Sequence, residues 1–388
     1  MAGLDEAMER IVGLQEALMN RFLERDEAIE GSIVALGCRQ HVLLVGPPGT
    51  AKSEMVAALT AAIKGAKYFE WCLGKDSKTD ELFGPLSIKA YQEGRYERVL
   101  DGTLPEADIA FVDEVFNANT TVLNNMLKVM NEREYRNGTN IVRCPLITLF
   151  GASNLLPQGE DETILAAFTD RFLFKYKLNY IAEDANFQSM MMLVGSPEMP
   201  EVTMDDLRLF QQAAQQIPFD QDTLDAVTIV KRTLQQEGFR PSDRRWRQVE
   251  DALRVKAVLA GDSKIDAVRD FDILAHILPP TPEERKPVGK ILRKTIDPLG
   301  ERVAEALEIA QEQMTLSLAD PEDAAKATEA LKKMTAAVND MRLLIHKSPG
   351  ASRRKVQNAM ERILRMKNEV VNTCLGGPNV AQPPTMTA

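Results

Sequence analysis

The run His41-Val-Leu-Leu-Val45 ends abruptly in Gly46-Pro-Pro-Gly-Thr-Ala-Lys52-Ser53, and a helical pattern follows from Ser53 to Ile63. A short apolar run that stops at glycines reads as a strand buried in a parallel sheet. Strand, glycine loop and helix in that order restrict this part of the chain to an α/β architecture. Such a turn lets backbone N–H groups and a helix N-terminus cradle a triphosphate. Gly46, Pro47, Pro48, Gly49, Thr50 and Ala51 are then the cradle, Lys52 reaches the β- and γ-phosphates, and Ser53 ligates magnesium. The strict form of the pattern has glycine immediately before the lysine, where this chain has Ala51. A glycine-rich turn between strand and helix can also be purely structural, so further residues have to decide.

They follow at Ile109-Ala-Phe-Val-Asp113-Glu114, an apolar strand ending in two carboxylates 61 and 62 residues after Lys52. That arrangement suits one acid near magnesium, Asp113, and a second near the attacking water, Glu114. Leu149-Phe-Gly-Ala-Ser-Asn154 ends another apolar strand in an amide able to orient the same water. Further apolar runs at Tyr68–Cys72, Asp108–Val112, Leu146–Phe150 and Phe172–Leu178 alternate with helix-like or loop-like sequence. This alternation predicts a three-layer αβα domain around a parallel sheet, spanning residues 1–182 with residues 1–37 helical.

From about residue 183 the strand signals stop, and helical segments are separated by breaks at Gly195-Ser-Pro197, Pro218, Gly238–Ser242, Gly261-Asp and Pro279-Pro280. An all-helical domain over 183–280 is expected. Beyond a proline-bearing linker, Ala324, Ala327, Leu331, Met334, Val338, Met341 and Ile345 alternate three and four residues apart, a heptad seam. Similar seams precede the break at Ala319-Asp-Pro321 and follow the one at Ser348-Pro-Gly350, so three antiparallel helices are expected within 281–375. Residues 376–388 read as a disordered tail.

Composition narrows the function classes. The 388 residues carry 47 basic and 57 acidic side chains, a net charge of −10, which argues against a protein that coats nucleic acid. Basic clusters at Arg240–Arg254, Arg285–Lys294 and Arg353–Lys355 leave a nucleic-acid motor as an alternative, although acids such as Asp243, Glu250 and Asp251 accompany them. The four cysteines show no metal or redox spacing and read as reduced, buried thiols. The charged start MAGLDEAMER lacks the apolar stretch of a secretory signal, and no membrane-length apolar run follows, so a cytoplasmic protein is expected.

GPPGTAKS, DELFGPLSIKAYQEGRYERV, FVDEVFNANTTVLNNMLKVMNEREYRNG, GASNLLP, Phe168-Thr-Asp-Arg171-Phe172 and Ser242-Asp-Arg244-Arg245-Trp246 together resemble the AAA+ ATPases of the MoxR family, with closest similarity to the RavA group. The resemblance spans roughly residues 20–260. It implies that Lys52 and Ser53 are the Walker A lysine and magnesium ligand, Asp113 and Glu114 the Walker B pair, and Asn154 the sensor 1 residue. It further implies that Arg171 is an arginine finger reaching the nucleotide of a neighbouring subunit, and that Arg244 is the sensor 2 arginine, with Arg245 an alternative. A surface salt bridge with Asp170 is the structural alternative for Arg171. Two segments, Ile11–Glu16 and Leu23–Ile29, resemble the adenine-contacting box, and spacing from the phosphate loop favours the second.

The resemblance thus implies a hexameric ring binding ATP or ADP with magnesium, working as a remodelling chaperone on a protein client with a von Willebrand factor A-type partner. Ile88, Ala90, Tyr91 and Tyr96 flank a turn at Gln92-Glu-Gly94, so residues 86–99 read as a β-hairpin, which in MoxR relatives projects toward the pore. A nucleotide-binding scaffold without turnover is a further alternative. The expected helices of 281–375 show no β-pattern between them, unlike the β-rich insertion of RavA relatives.

Overall fold

A computed structural model describes residues 2–157, 160–192, 198–347 and 350–375. The expected breaks at 195–197 and 348–349 and the expected tail at 376–388 lie outside the described residues. The chain begins with α1 (Ala2–Arg21) and α2 (Asp26–Cys38), followed by β1 (His41–Val45), α3 (Lys52–Ala61), β2 (Ile63–Lys64) and β3 (Tyr68–Cys72). The short helices α4 (Thr79–Phe83) and α5 (Ile88–Gln92) lead to β4 (Ile109–Asp113) and α6 (Thr120–Glu132). Then come β5 (Glu134–Asn137), β6 (Asn140–Arg143), β7 (Thr148–Ser153), α7 (Glu160–Thr169), β8 (Phe172–Lys177), α8 (Asp184–Met192) and β9 (Val202–Thr203). The remainder is helical: α9 (Met204–Gln216), α10 (Gln221–Gln236), α11 (Asp243–Leu259), α12 (Ala267–Asp270), α13 (Leu274–Ile277) and α14 (Arg285–Ile296), then α15 (Pro298–Leu318), α16 (Ala324–Lys347) and α17 (Gly350–Cys374).

The main sheet has the order β3-β4-β7-β1-β8, every pairing parallel. Its strands are continuous apolar runs because helices cover both faces: all of β1 and β7 is buried. One core cluster joins Leu43 and Val45 to Val112, Leu149 and Phe172 from the sheet, and to Val122, Met126 and Val129 on the apolar face of α6. The consequence for function is topological. Strands β4, β7 and β1 are neighbours, so the three segments that leave their C-terminal ends lie side by side, the usual ligand position in such sheets.

Four features differ from the sequence reading. One lies in the stretch expected to be all-helical from 183 onward: there Val202 and Thr203 form β9, paired in parallel with Ile63 and Lys64, where the helix expected to reach Ile63 has already ended at Ala61. The helical stretch over 1–37 is broken, because Glu24 takes a left-handed conformation (φ 59°) and its carboxylate accepts from the N–H groups of Ala182 and Glu183. Residues 86–99 form no strand pair. Leu86 and Arg98 make a single antiparallel bridge, and between them Ser87 caps α5, its hydroxyl accepting from Ala90 N–H. A small helix former, Ala90, together with a side-chain cap tips this stretch toward helix. Antiparallel pairing occurs instead at β5 and β6, joined through Gly138 (φ 65°). Cys72 is exposed, whereas Cys144 is buried, and all four thiols are free.

Residue contacts divide the chain after Gly289, within α14. In the second unit α15, α16 and α17 pack on one another around Val303, Ala310, Met334, Met341, Val356 and Ile363. Ala330, Ala337 and Leu344 are also buried while Ala324 is exposed, because α16 contacts two helices and needs an apolar stripe broader than one heptad seam.

Candidate functional site

The loop after β1 owes its shape to three residues. A side chain at Gly46 would meet the carbonyl oxygen of Leu178 at 2.2 Å, so only glycine lets the strand end pass β8. Gly49 and Ala51 both have positive φ, 78° and 62°. Ala51 therefore occupies the left-handed conformation for which glycine is the unstrained residue, and the departure from the strict motif is a local strain of about 1 kcal/mol rather than a different loop. The N-terminus of α3 has no side-chain cap. Its first-turn amides are left for an external anion, which fits a phosphate group.

Lys52 is buried, and its Nζ donates to the carbonyls of Gly46 (2.7 Å) and Pro47 (3.1 Å) and to Asn154 Oδ1 (3.3 Å). Burial holds this ammonium below the usual lysine range, while the nearby Asp113 and Glu114 carboxylates oppose the shift. Asn154 Nδ2 in turn donates to Glu114 Oε1 at 2.5 Å. One amide thus faces a cation with its oxygen and an anion with its nitrogen, which fixes its orientation. Glu114 has left-handed backbone angles (φ 49°, ψ 43°), and its N–H donates to Asp113 Oδ1 at 2.9 Å. Asn117 Nδ2 reaches the other Glu114 oxygen at 3.4 Å. A non-glycine residue in this conformation stores strain that the surrounding bonds must hold. The cleft bounded by Gly46, Pro47, Pro48 and Asn154 has a volume of about 700 Å³.

Ser53 is the second residue of α3 and Asp113 the last of β4. Thr50 is buried, with its hydroxyl donating to the Pro47 carbonyl. Lys52, Asp113, Glu114 and Asn154 therefore gather at the expected strand ends. Arg171 and Arg244 do not join them. Both line a separate polar cavity of about 440 Å³ with Gln40, His41, Arg133 and Gln248. His41 lies in its wall, and the Nδ1 of this residue accepts from Leu149 N–H at 2.9 Å. Burial, with Arg133 adjacent, lowers this imidazole to about 3 and keeps it neutral.

The salt bridge envisaged between Asp170 and Arg171 does not form. The Asp170 carboxylate accepts from Arg245 Nε at 2.8 Å and lies 3.8 Å from Arg244 Nη1, while Arg171 Nε is buried with no hydrogen-bond partner. Arg245 is buried and engaged with the core, whereas Arg244 is half-exposed beside Arg171.

Two more residues complete the surroundings: Arg25, inside the expected base-contacting segment Leu23–Ile29, and Tyr180, which the sequence did not single out. Arg25 lies at the turn between α1 and α2 and donates to the carbonyls of Thr50 (3.4 Å) and Asn179 (2.6 Å), tying the phosphate loop to the segment after β8. Tyr180 donates to the Pro48 carbonyl at 3.2 Å. A cavity of about 520 Å³ opens beside Arg25, with Glu24, Ala28, Leu178 and Asn179 in its wall. Leu23–Ile29 thus begins at the phosphate loop, whereas Ile11–Glu16 lies inside α1. No sequence periodicity marks Arg25 or Tyr180, because their role comes from carbonyls brought near by the tertiary fold.

Residues 9–215 match the family described as the MoxR domain in the MoxR-vWA-beta-propeller ternary systems, and residues 222–292 match the AAA lid domain. An uncharacterised protein of Methanocaldococcus jannaschii is 40% identical over 274 residues, covering 70% of this chain and 72% of that protein. The chaperone MoxR1 of Mycobacterium tuberculosis is 28% identical over 194 residues, 49% of this chain and 50% of its own length. The solved structure of a candidate ATPase from Cytophaga hutchinsonii shares the fold, with a TM-score of 0.63 at 17% identity over 76% of this chain and 96% of that one. The MoxR domain match alone extends over more than half of the residues, and on that ground the chain belongs to the MoxR family of AAA+ ATPases.

Proposed function

We propose that the chain hydrolyses ATP with magnesium as one subunit of a closed ring, each nucleotide being shared by two copies. The observation that carries this reading is the separation of the hydrogen-bonded group Lys52, Asn154 and Glu114 from the cavity that Arg171 and Arg244 line. The first borders a cleft lined by Gly46, Pro47, Pro48 and Asn154, and the second shares no lining residue with that cleft. Each chain then offers a phosphate-holding half on one surface and an arginine half on another, and a neighbour supplies what is missing.

In this mechanism the amides of Gly46 to Ser53 and the Lys52 ammonium hold the phosphates. Magnesium, when bound, neutralises phosphate charge, with Ser53 and Asp113 as its protein ligands. Glu114 accepts a proton from the attacking water, and Asn154 orients that water while releasing Glu114 from the bond they share. Arg171 and Arg244 of the adjacent copy neutralise charge on the equatorial oxygens as the terminal phosphoryl group departs. The cavity beside Arg25 supports Leu23–Ile29 as the base-contacting segment.

The work done by this cycle is chaperone-like remodelling of a protein client in a hexamer. Exposed Ile88, Tyr91 and Tyr96 around α5 support that segment as the client contact. The vWA component in the description of the matched family supports a von Willebrand factor A-type partner. The RavA affinity rests on the motif stretches alone, and the described residues of 290–375 contain no strand to match that group's β-rich insertion. Glu114→Gln tests the chemistry: ATP binding should persist while turnover falls by about 10²-fold or more. Normal hydrolysis by that variant contradicts the reading.

A further inference from the structure

Arg171 has little to hold its own side chain, since its buried Nε lacks a partner. Its direction is therefore set by its backbone, and both neighbouring residues are gripped by the same side chain. Arg245 donates from Nε to the Asp170 carboxylate at 2.8 Å and from Nη2 to the Phe172 carbonyl at 3.3 Å. Its Nη1 donates to the carbonyls of Ile277 at 2.5 Å and Leu173 at 3.4 Å. The guanidinium is only 3% exposed. A planar fork with five donors in fixed directions can hold four acceptors at once, which an ammonium cannot.

Those acceptors belong to different parts of the first unit. Asp170, Phe172 and Leu173 are core residues at the entry to β8, whereas Arg245 on α11 and Ile277 at the end of α13 lie within the residues matched by the lid family. Ser242, the N-cap of α11, adds a weak donor to Asp170 at 3.5 Å. A second fastening runs in parallel from Lys175 Nζ on β8 to the Pro280 carbonyl at 2.5 Å.

We propose that Arg245 is a positioning residue that fixes Arg171 and couples its presentation to the lid. The proposal rests on the reading that Arg171 completes a neighbour's nucleotide site. A turn of α11 or of the 277–280 segment against β8 draws on Asp170 and on the Phe172 carbonyl, and so moves the backbone that carries Arg171. The lid of one subunit thereby governs the arginine that subunit offers to the next. The two adjacent arginines have distinct duties: Arg244 stands in the open cavity with Arg171, and Arg245 works only through it.

Steady-state ATP hydrolysis by the full chain tests this with two variants. Arg245→Lys keeps the charge and removes the fork, and Asp170→Glu keeps both charges while displacing the contact by one methylene. Each is expected to lower kcat by about 10-fold or more with the KM for ATP changed less than about twofold, since a small misplacement of a catalytic group is costly. Placed in an Arg171→Ala background, each should slow turnover by less than about twofold further, because the group they position is gone. Full multiplicative losses in that background, or a rise in KM at constant kcat, overturn the proposal. If Arg245→Lys does not fold, Asp170→Glu carries the same comparison. An Arg171→Ala variant that turns over normally instead sinks the underlying reading of Arg171, a result separable from the rest.

Discussion

The phosphate cleft and the arginine cavity treat their charges in opposite ways. In the cleft, Lys52, Asn154 and Glu114 satisfy one another in a continuous chain, with distances of 3.3 and 2.5 Å. In the other cavity Arg171 has a buried Nε without an acceptor, and Arg244 stands half-exposed 3.8 Å from a carboxylate already claimed by Arg245. An unpaired buried donor costs free energy, so such a group persists where another molecule satisfies it. On the proposed reading, the contrast means that the cleft is finished within one chain except for its ligand, whereas the arginine cavity awaits an anion from a neighbouring copy.

Removing Arg171 should have the largest effect on that contrast. Arg171→Ala is expected to lower kcat by about 10³-fold, the scale of an arginine acting on a transferring phosphoryl group, while ATP binding by the isolated chain is unchanged. A comparable loss of binding would place Arg171 in the cleft of its own chain and erase the distinction. Asn154→Ala should cost less, about 10- to 100-fold in kcat, because Glu114 survives without the amide that orients it. Unchanged turnover would make the Lys52–Asn154–Glu114 chain purely structural.

A subtler effect lies at Lys175 on β8. Burial, reinforced by Arg245, lowers Lys175 to about 7, against the pull of Asp170 and Glu284. Between about pH 7 and the ordinary lysine value near 10.4 the unfolded chain binds a proton that the folded chain does not, so this site's contribution to stability rises with pH across that window. Below it both states are charged and the burial cost is fully felt. Lys175→Met should thus change the thermal midpoint more favourably at pH 6 than at pH 10; the reverse order contradicts the assignment. The smallest effect is on the cleft side, where Ala51→Gly should relieve left-handed strain and raise stability by about 1 kcal/mol in a thermal or urea melt. A loss of stability would show that Ala51 is held without strain.

The sequence makes the cleft legible because its parts are local. A strand that ends in glycines, and strands that end in carboxylates or an amide, carry their positions in the chain order, and a parallel sheet places such ends together. The arginine side is legible only in its residue names. Whether Arg244 or Arg245 faces outward depends on which side of α11 meets β8, and three of the four acceptors of Arg245 are carbonyls, which no side-chain pattern records. Residues 86–99 show the same limit in miniature: alternating apolar residues around a glycine suit a hairpin, yet one serine cap and an alanine make a helical turn. The bundle of the second unit is legible as three seams, but its broader buried stripe follows from each helix meeting two others.

The most direct measurement of the central claim, that two copies share each hydrolytic site, is subunit mixing. Glu114→Gln chains keep Arg171, and Arg171→Ala chains keep Glu114, so a mixed ring contains interfaces at which both intact halves meet. The account predicts that two separately inactive variants regain ATP hydrolysis on mixing, with a maximum near equal proportions. Turnover that stays at the sum of the two inactive preparations, in rings shown to contain both kinds of subunit, would contradict it.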